Sequence, residues 1–128
     1  MKETILIFQV EDPAMKSSIS QALLPFHIRL KKVELYDYRK PLGALVGLPG
    51  FEATADNDAE ACVPLPAPMM IFAGLTESRL DQVLRQLRSK KIPLPYKAVL
   101  TAANQVWTPM QCFMELKREH DSMTSAQK

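Results

Sequence analysis

Few residues of this sequence have the type and the surroundings that covalent catalysis requires. A nucleophilic serine, cysteine or threonine needs a positioned base beside it, most often a histidine. His27 follows a proline in an apolar segment, and His120 lies in a polar C-terminal segment, so we interpret them as packed and solvated residues. Cys112 is interpreted as a core residue because its spacing to Phe113 and Leu116 places it near a packed helix face. No catalytic residue is therefore predicted.

Metal and nucleotide sites find equally little support in the sequence. A zinc site needs clustered cysteines and histidines, whereas Cys62 and Cys112 stand far apart. The acidic residues between positions 48 and 68 lack the ordered spacing of a calcium loop. With four glycines, neither a dinucleotide fingerprint nor a P-loop can be written. We predict no metal site and no cofactor.

The N-terminal apolar run ends at Val10 and is followed by two acids. This run is too short for the core of a signal peptide or for a membrane span. We therefore expect a cytoplasmic protein without membrane association, in which both cysteines are reduced thiols.

The charge pattern bears on nucleic-acid binding. The formal net charge is only +2, because acids concentrated in residues 48–68 offset a basic remainder. The basic residues form two groups in the sequence: Arg29, Lys31 and Lys32, and then Arg85, Arg88, Lys90, Lys91 and Lys97. Brought together, the groups would form a patch for nucleic acid. No aromatic residues are interleaved, and lysines are common at edge strands and helix ends, so this is the less favoured hypothesis.

Hydrophobic patterning predicts a strand followed by a helix in each half of the chain. Residues 5–10 and 69–72 are continuous apolar runs, typical of strands that are buried on both faces. Asp12 and Pro13 predict the start of the first helix, and Thr76 caps the second. The seven methionines are interpreted mainly as core residues that fill gaps.

A more polar strand and a second helical piece complete each half. The strands are expected within residues 28–36 and 96–101. Thr108 and Gln111 form a capping box at the start of the last helix, where Trp107 is expected to pack onto Cys112. The predicted boundaries are a single domain over 1–128, with a first half at 1–47, an acidic, proline-rich linker at 48–68, a second half at 69–120 and a disordered tail at 121–128.

The two halves match one another, which predicts a duplicated β-α-β-α unit. Residues 5–8 parallel residues 69–72, and residues 32–35 parallel residues 97–100 after one inserted residue. The favoured fold class is α/β, with a parallel four-stranded sheet in the order 2-1-3-4, the first and third strands central, and helices on both faces. The alternative is a ferredoxin-like α+β sandwich in the order 4-1-3-2.

In the parallel sheet, ligands would bind at the carboxyl ends of the central strands. Glu11, Asp12 and Glu77 lie at those ends. Acids at helix N-termini repel phosphate, so a nucleotide ligand is disfavoured there. The segment from Thr101 to Gln111 has no acid, and the N-terminus of the last helix could therefore accept an anion or a partner's carboxylate.

A set of residues in the second half carries a family resemblance: Lys97-Ala98-Val99-Leu100-Thr101, then Asn104, then Trp107-Thr108, and then Glu115-Leu116 and Glu119-His120. The pattern resembles a small bacterial domain family of unknown function, and it covers residues 69–120 well and the first half weakly. The resemblance implies a bacterial cytoplasmic protein. It supplies no activity, cofactor or catalytic residue.

These observations predict a non-enzymatic binding or regulatory module for a protein partner or a small ligand. Thr101, Asn104, Trp107 and Lys97 are the candidate binding residues, because functional groups concentrate on loops at strand ends. Lys97 itself lies roughly 13 Å from Thr101 at the rise of a strand. A purely structural role, in which Asn104 shapes the turn, stays open. The second hypothesis is a small enzyme with a polar site around Asn104, Thr101 and Glu115, and the third is a weak nucleic-acid binder.

Overall fold

One four-stranded sheet in the order 2-1-3-4 forms the centre of the molecule. The computed structural model describes residues 3–49, 63–92 and 96–126. The strands are β1 (Thr4–Phe8), β2 (Arg29–Lys32), β3 (Met69–Ala73) and β4 (Tyr96–Val99). The helices are α1 (Pro13–Leu23), α2 (Leu42–Leu45), α3 (Glu77–Ser89) and α4 (Pro109–Ala126). The predicted order with β1 and β3 central is confirmed, and the ferredoxin-like order is excluded.

The directions of the strands depart from a fully parallel sheet. Each half pairs its own two strands in parallel, β1 with β2 and β3 with β4. The two halves meet through an antiparallel pairing of β1 and β3, in which Leu6 lies opposite Ile71. As a result, the carboxyl ends of β1 and β3 lie at opposite ends of the sheet. The shared crevice that a parallel sheet would offer to a ligand is therefore not formed.

Both faces of the sheet are covered, as the two apolar runs predicted. Every residue of β1 and β3 is buried. Ile5, Ile7, Met70 and Phe72 join the apolar residues of α1 and α3 in one core cluster. Leu6, Phe8, Met69 and Ile71 join those of α2 and α4 in the other. Each such side chain stabilises the fold by about 1.5–3 kcal/mol through its removal from water.

The correspondence between the halves is shifted by one residue from the one read in the sequence. Phe8 and Phe72 lie on neighbouring strands but belong to core clusters on opposite faces. A shift of one residue moves every side chain of a strand to the other face of the sheet. Equivalent residues of β1 and β3 lie on the same face when Leu6 is matched with Ile71. Gln9 and Gly74, both in the left-handed region at φ 62° and 79°, then match as well. Duplication of the unit stays a prediction.

The predicted helix caps are present. The Asp12 side chain accepts a hydrogen bond from the Ala14 N–H at 3.1 Å at the start of α1, which has Pro13 in its first turn. The Thr76 side chain caps α3. At α4 the Thr108 N–H donates to the Gln111 side chain at 2.9 Å, and the Thr108 hydroxyl accepts from the Gln111 N–H at 3.3 Å. Local sequence therefore determines where these helices begin.

β2 lies within the residues 28–36 predicted for it, whereas β4 is shorter than predicted. β2 ends at Lys32, and its pairing with β1 is regular over four residues. Val33 is buried, whereas Leu35 begins a 3-10 turn and is 43% exposed. The alternation of apolar and polar residues in this segment therefore continues beyond the end of β2 into a turn. β4 ends at Val99 rather than at residue 101.

Arg79 of α3 links the second half to the first. Its guanidinium binds both carboxylate oxygens of Glu3 at 2.9 Å and also donates to the Phe26 carbonyl. The same group lies 5.3 Å above the Phe26 ring. Glu3 precedes β1, and Phe26 ends the turn after α1, so one side chain joins three segments.

The linker and the tail are described in part. Residues 50–62, which include Cys62 and most of the acidic stretch, lie outside the described residues. Leu65 is buried in the core, and its N–H donates to the Gln9 side chain at 3.2 Å. α4 continues to Ala126, so the segment predicted as a disordered tail is helical up to that residue.

Candidate functional site

The loop after β4 is closed by hydrogen bonds between Thr101 and Asn104. The Thr101 N–H donates to Asn104 Oδ1 at 2.8 Å, and the Asn104 N–H donates to Thr101 Oγ1 at 3.1 Å. Asn104 Nδ2 donates to the Val99 carbonyl at 2.9 Å. Asn104 is 8% exposed. Both ends of its amide are therefore engaged within the loop, which supports a structural role for these two candidate residues.

The bond to Val99 also covers the open edge of the sheet. The Leu100 N–H donates to the Phe72 carbonyl of β3 at 2.8 Å, so the backbone of Leu100 faces the sheet. Along a strand the hydrogen-bonding direction alternates, and the Val99 carbonyl therefore points to the outer edge of β4. An uncovered edge carbonyl invites pairing with another chain. Asn104 Nδ2 donates a hydrogen bond to this carbonyl at the residue where β4 ends.

Trp107 is held on both sides of its peptide unit. Its N–H donates to the Asn104 carbonyl at 3.0 Å, and its own carbonyl accepts from the Leu42 N–H of α2 at 2.8 Å. The half-buried side chain packs against the core cluster that contains Cys112 and Phe113. This arrangement agrees with the predicted hydrophobic staple. The backbone of Trp107 is therefore fixed between the loop and α2, and its half-buried indole packs on this core cluster.

A cavity of about 290 Å³ opens between β4 and α4. Its lining is Lys97, Ala98, Asn104, Trp107, Cys112, Glu115, Leu116 and Glu119. Three of the four candidate residues, Lys97, Asn104 and Trp107, belong to this lining. Lys97 lies on the edge strand and also lines a cavity on the α3 face of the sheet. Thr101 does not line the cavity but positions Asn104.

A second cavity of about 370 Å³ adjoins the first. It is lined by Trp107, Met110, Gln111, Met114 and Glu115. Because the cavities share Trp107 and Glu115, they form one surface feature, which we call the Trp107 groove and define as the residues that line the two cavities. Met110 and Met114 were not predicted as site residues. They are four residues apart, so they lie on the same side of a helix, and they follow Trp107 closely in the sequence, a pattern that could have indicated a shared surface.

The chemistry of the groove is governed by the environment of its titratable groups. Burial, with Glu119 and Glu115 nearby, raises the pKa of the Cys112 thiol to about 11. A thiol is a poor nucleophile when protonated, so Cys112 is inert at neutral pH. The Glu115 carboxylate accepts a hydrogen bond from Arg118 at 2.5 Å on the helix surface. His120 lies with its ring 5.6 Å from that of Tyr96 and is absent from the groove lining.

The enzyme hypothesis required a concave site beside Asn104, and such a cavity is present. The Asn104 amide, however, is committed to Val99 and Thr101. Within the described residues no three His, Cys, Asp or Glu side chains are grouped so that they could hold a metal ion. What the groove offers is an aromatic anchor, apolar contact area and carboxylates, a set suited to binding.

The first basic group and Lys97 of the second group lie on opposite edge strands of the sheet. Arg29, Lys31 and Lys32 belong to β2, and Lys97 belongs to β4. β1 and β3 separate these edges, a distance of roughly 14 Å at the usual strand spacing. The sheet order therefore separates Lys97 from the basic residues of β2, and weak nucleic-acid binding stays the less favoured hypothesis.

Comparison with known proteins gives one family match. The model of a family described as "Domain of unknown function (DUF3783)" matches residues 68–123, which hold β3, α3, β4 and most of α4. No curated protein and no solved structure matches the chain. The match agrees with the resemblance to a domain family of unknown function. In the part of the chain that the structure describes, no helix combines the length and apolar character needed to cross a membrane.

Proposed function

We propose that this protein is a non-enzymatic binding module that holds a segment of a partner protein in the Trp107 groove. The observation that carries the proposal is the pair of cavities whose linings share Trp107 and Glu115. A pre-positioned aromatic anchor shared by two concavities provides contact area at little entropic cost, as binding hot spots do.

The shape of the groove favours a protein segment over a compact small molecule. Two cavities that share Trp107 suit a chain that places one side chain in each cavity. Met114 is 52% exposed, and Met110 lies one turn before it on α4. Unbranched, polarizable methionine side chains adapt to varied apolar partners.

The charge of the groove indicates the chemistry of the partner. Glu115 and Glu119 line the α4 side. The ion pair of Glu115 with Arg118 is exposed, and exposed pairs of this kind contribute little and exchange readily. A lysine or arginine of the partner would approach these carboxylates and the face of the indole. The expected partner segment therefore combines apolar residues with a basic residue.

The state of Cys112 supports binding over nucleophilic catalysis. Cys112 lines the cavity, and its thiol would have to lose a proton to act as a nucleophile. Burial raises the pKa of this thiol to about 11, so it stays protonated at neutral pH. The regulatory aspect of the hypothesis follows if the partner's activity changes when the groove is occupied.

The test is selection of peptides that bind the full chain from a random displayed library. Trp107 is the single tryptophan, so its emission reports directly on the groove. We expect the selected peptides to carry apolar and basic residues and to shift the emission of Trp107 in a saturable titration. Met114→Lys is expected to weaken binding about tenfold or more, as loss of a central apolar contact does.

Leu24→Lys is the matched control, because Leu24 is an apolar residue that is 72% exposed and lies after α1, away from the groove. This variant is expected to bind the selected peptides like the unmodified chain. Peptides that bind without a change in Trp107 emission, and equally well to Met114→Lys, would overturn the proposal. Equal thermal unfolding temperatures of the variants confirm that folding is not the cause.

A further inference from the structure

A separate cavity of about 290 Å³ lies on the other face of the sheet, between the end of α3 and β4. Its lining among the described residues is Leu84, Leu87, Arg88, Ile92 and Lys97. Leu87 belongs to the core cluster of that face, and Leu84 and Ile92 pack against it. The cavity therefore has an aliphatic wall that the fold itself holds in place.

Two cationic side chains, Arg88 and Lys97, complete the part of this lining that the structure describes, and no carboxylate belongs to that part. Arg88 is anchored to its own helix, since its Nε donates to the Leu84 carbonyl at 3.4 Å. A guanidinium offers parallel N–H groups that match the two oxygens of a carboxylate. Partial burial and the nearby charge of Arg88 both lower the pKa of Lys97. An anion placed between the two cations would offset that repulsion.

Aliphatic surface and two cations in one cavity select for a ligand with both characters. Phosphates and nucleotides fit poorly, because the described lining residues include no aromatic ring on which a base could stack, and because the cavity lies near the C-terminus of α3. The negative end of a helix dipole disfavours multiply charged anions. A singly charged carboxylate with an apolar body meets all of these conditions.

We propose that the cavity between α3 and β4 binds a small aliphatic carboxylate, with its chain against Leu84, Leu87 and Ile92 and its carboxylate between Arg88 and Lys97. This site lies on the opposite face from most of the Trp107 groove and does not depend on a peptide partner. Occupancy here is read from methyl groups, and occupancy of the groove from Trp107 emission, so the two proposals can fail separately.

The test is a methyl-NMR titration of the full chain with octanoate, 1-octanol and octylammonium, which share a chain length and differ in charge. We expect octanoate to shift the methyl resonances of Leu84, Leu87 and Ile92 in a saturable manner. Octanol is expected to bind about tenfold more weakly, in line with loss of a charge-assisted contact, and octylammonium more weakly still. Equal affinities for octanoate and octanol would overturn the proposal.

Arg88→Gln and Arg85→Gln form the matched pair of variants. Arg85 lies on the same helix, but it is exposed and pairs with Asp81 rather than lining the cavity. Arg88→Gln is expected to reduce octanoate affinity about tenfold to the level of octanol, while octanol binding stays unchanged. Arg85→Gln is expected to leave both affinities unchanged. Equal losses in the two variants would show a general charge effect and contradict the site.

Discussion

The side-chain amide of Asn104 donates a hydrogen bond to the carbonyl of Val99 at 2.9 Å, across the loop that follows β4. The other end of the same amide accepts from the Thr101 N–H. One buried side chain thus ends the edge strand and closes the loop. The backbone carbonyl of the same residue accepts a hydrogen bond from the Trp107 N–H. Asn104, one of the four candidate binding residues, therefore has a structural role in the loop.

Asn104→Ala tests this structural role. The substitution leaves the Val99 carbonyl and the Thr101 N–H without their partner, and such losses cost about 1–3 kcal/mol. We expect the free energy of unfolding, measured with urea, to fall by about 2 kcal/mol. Gln105→Ala, at the next position, is the control and is expected to have little effect. An unchanged urea midpoint for Asn104→Ala would contradict the role assigned to the amide.

Asn104→Asp should separate the two ends of the amide. The carboxylate keeps an acceptor for the Thr101 N–H but loses the donor to the Val99 carbonyl. Two acceptors then face each other at neutral pH, whereas protonation restores a donor. We expect the deficit in unfolding temperature relative to the unmodified chain to be larger at pH 7 than at pH 3. A deficit that does not change with pH would argue against the contact with Val99.

The ion pair of Glu3 with Arg79 predicts a loss of stability in acid. The hydrogen bond from Arg79 lowers the pKa of Glu3, despite the opposing effect of burial. A lowered native pKa means that the contribution to stability is present above the unfolded pKa of about 4.3 and is lost as the pH falls through the native value. Glu3→Gln is therefore expected to lower the unfolding temperature at pH 7 and to differ little from the unmodified chain at pH 3.

Asp81→Asn is the control for this measurement, since Asp81 pairs with Arg85 on the exposed surface of α3. Exposed pairs contribute little, so we expect only a small change in unfolding temperature at either pH. A pH dependence as large as that of Glu3→Gln would show that general surface charge, and not the link between the halves, causes the acid sensitivity.

The Cys112 thiol is expected to resist alkylation in the native state. Its burial raises its pKa to about 11 and also blocks access to the reagent. Iodoacetamide at pH 8 should leave Cys112 unmodified in the folded chain and modify it in urea, as determined by mass spectrometry of the peptide that contains it. Native-state alkylation at the rate seen in urea would contradict this environment and reopen the nucleophile hypothesis.

Truncation at two adjacent positions of α4 is expected to change the free energy of unfolding by very different amounts. Phe113 is 1% exposed, and its ring lies 4.7 Å from that of Tyr96, whereas Met114 is 52% exposed. Phe113→Ala should reduce the free energy of unfolding by about 3–5 kcal/mol through loss of buried area and formation of a cavity. Met114→Ala should change it by less than about 0.5 kcal/mol. A large stability loss in Met114→Ala would place that residue in the core rather than in the groove.

The candidate site was predictable only in part. Lys97, Asn104 and Trp107 were identified from their pattern in the sequence, and the structure places all three around one cavity. The methionines of α4 were not identified, because the exposure of Met114 depends on which helix face the sheet covers. That choice is made by packing and not by local sequence.

Much of the architecture followed from local information. The caps at Asp12, Thr76 and Thr108 depend on side chains that bind the backbone within two or three residues. The central positions of β1 and β3 followed from their continuous apolar runs, since only strands covered on both faces bury every side chain. Apolar runs and helix caps involve residues that are close together in the chain, and both could therefore be predicted from the sequence.

The tertiary structure alone decided how the halves meet. A strand that is apolar on both faces has no alternation, so neither its direction nor its register against a neighbour is encoded in its pattern. The antiparallel pairing of Leu6 with Ile71 separated the two strand ends and put Phe8 and Phe72 on opposite faces. The cavities beside β4 are likewise products of packing, because their walls come from segments distant in the chain.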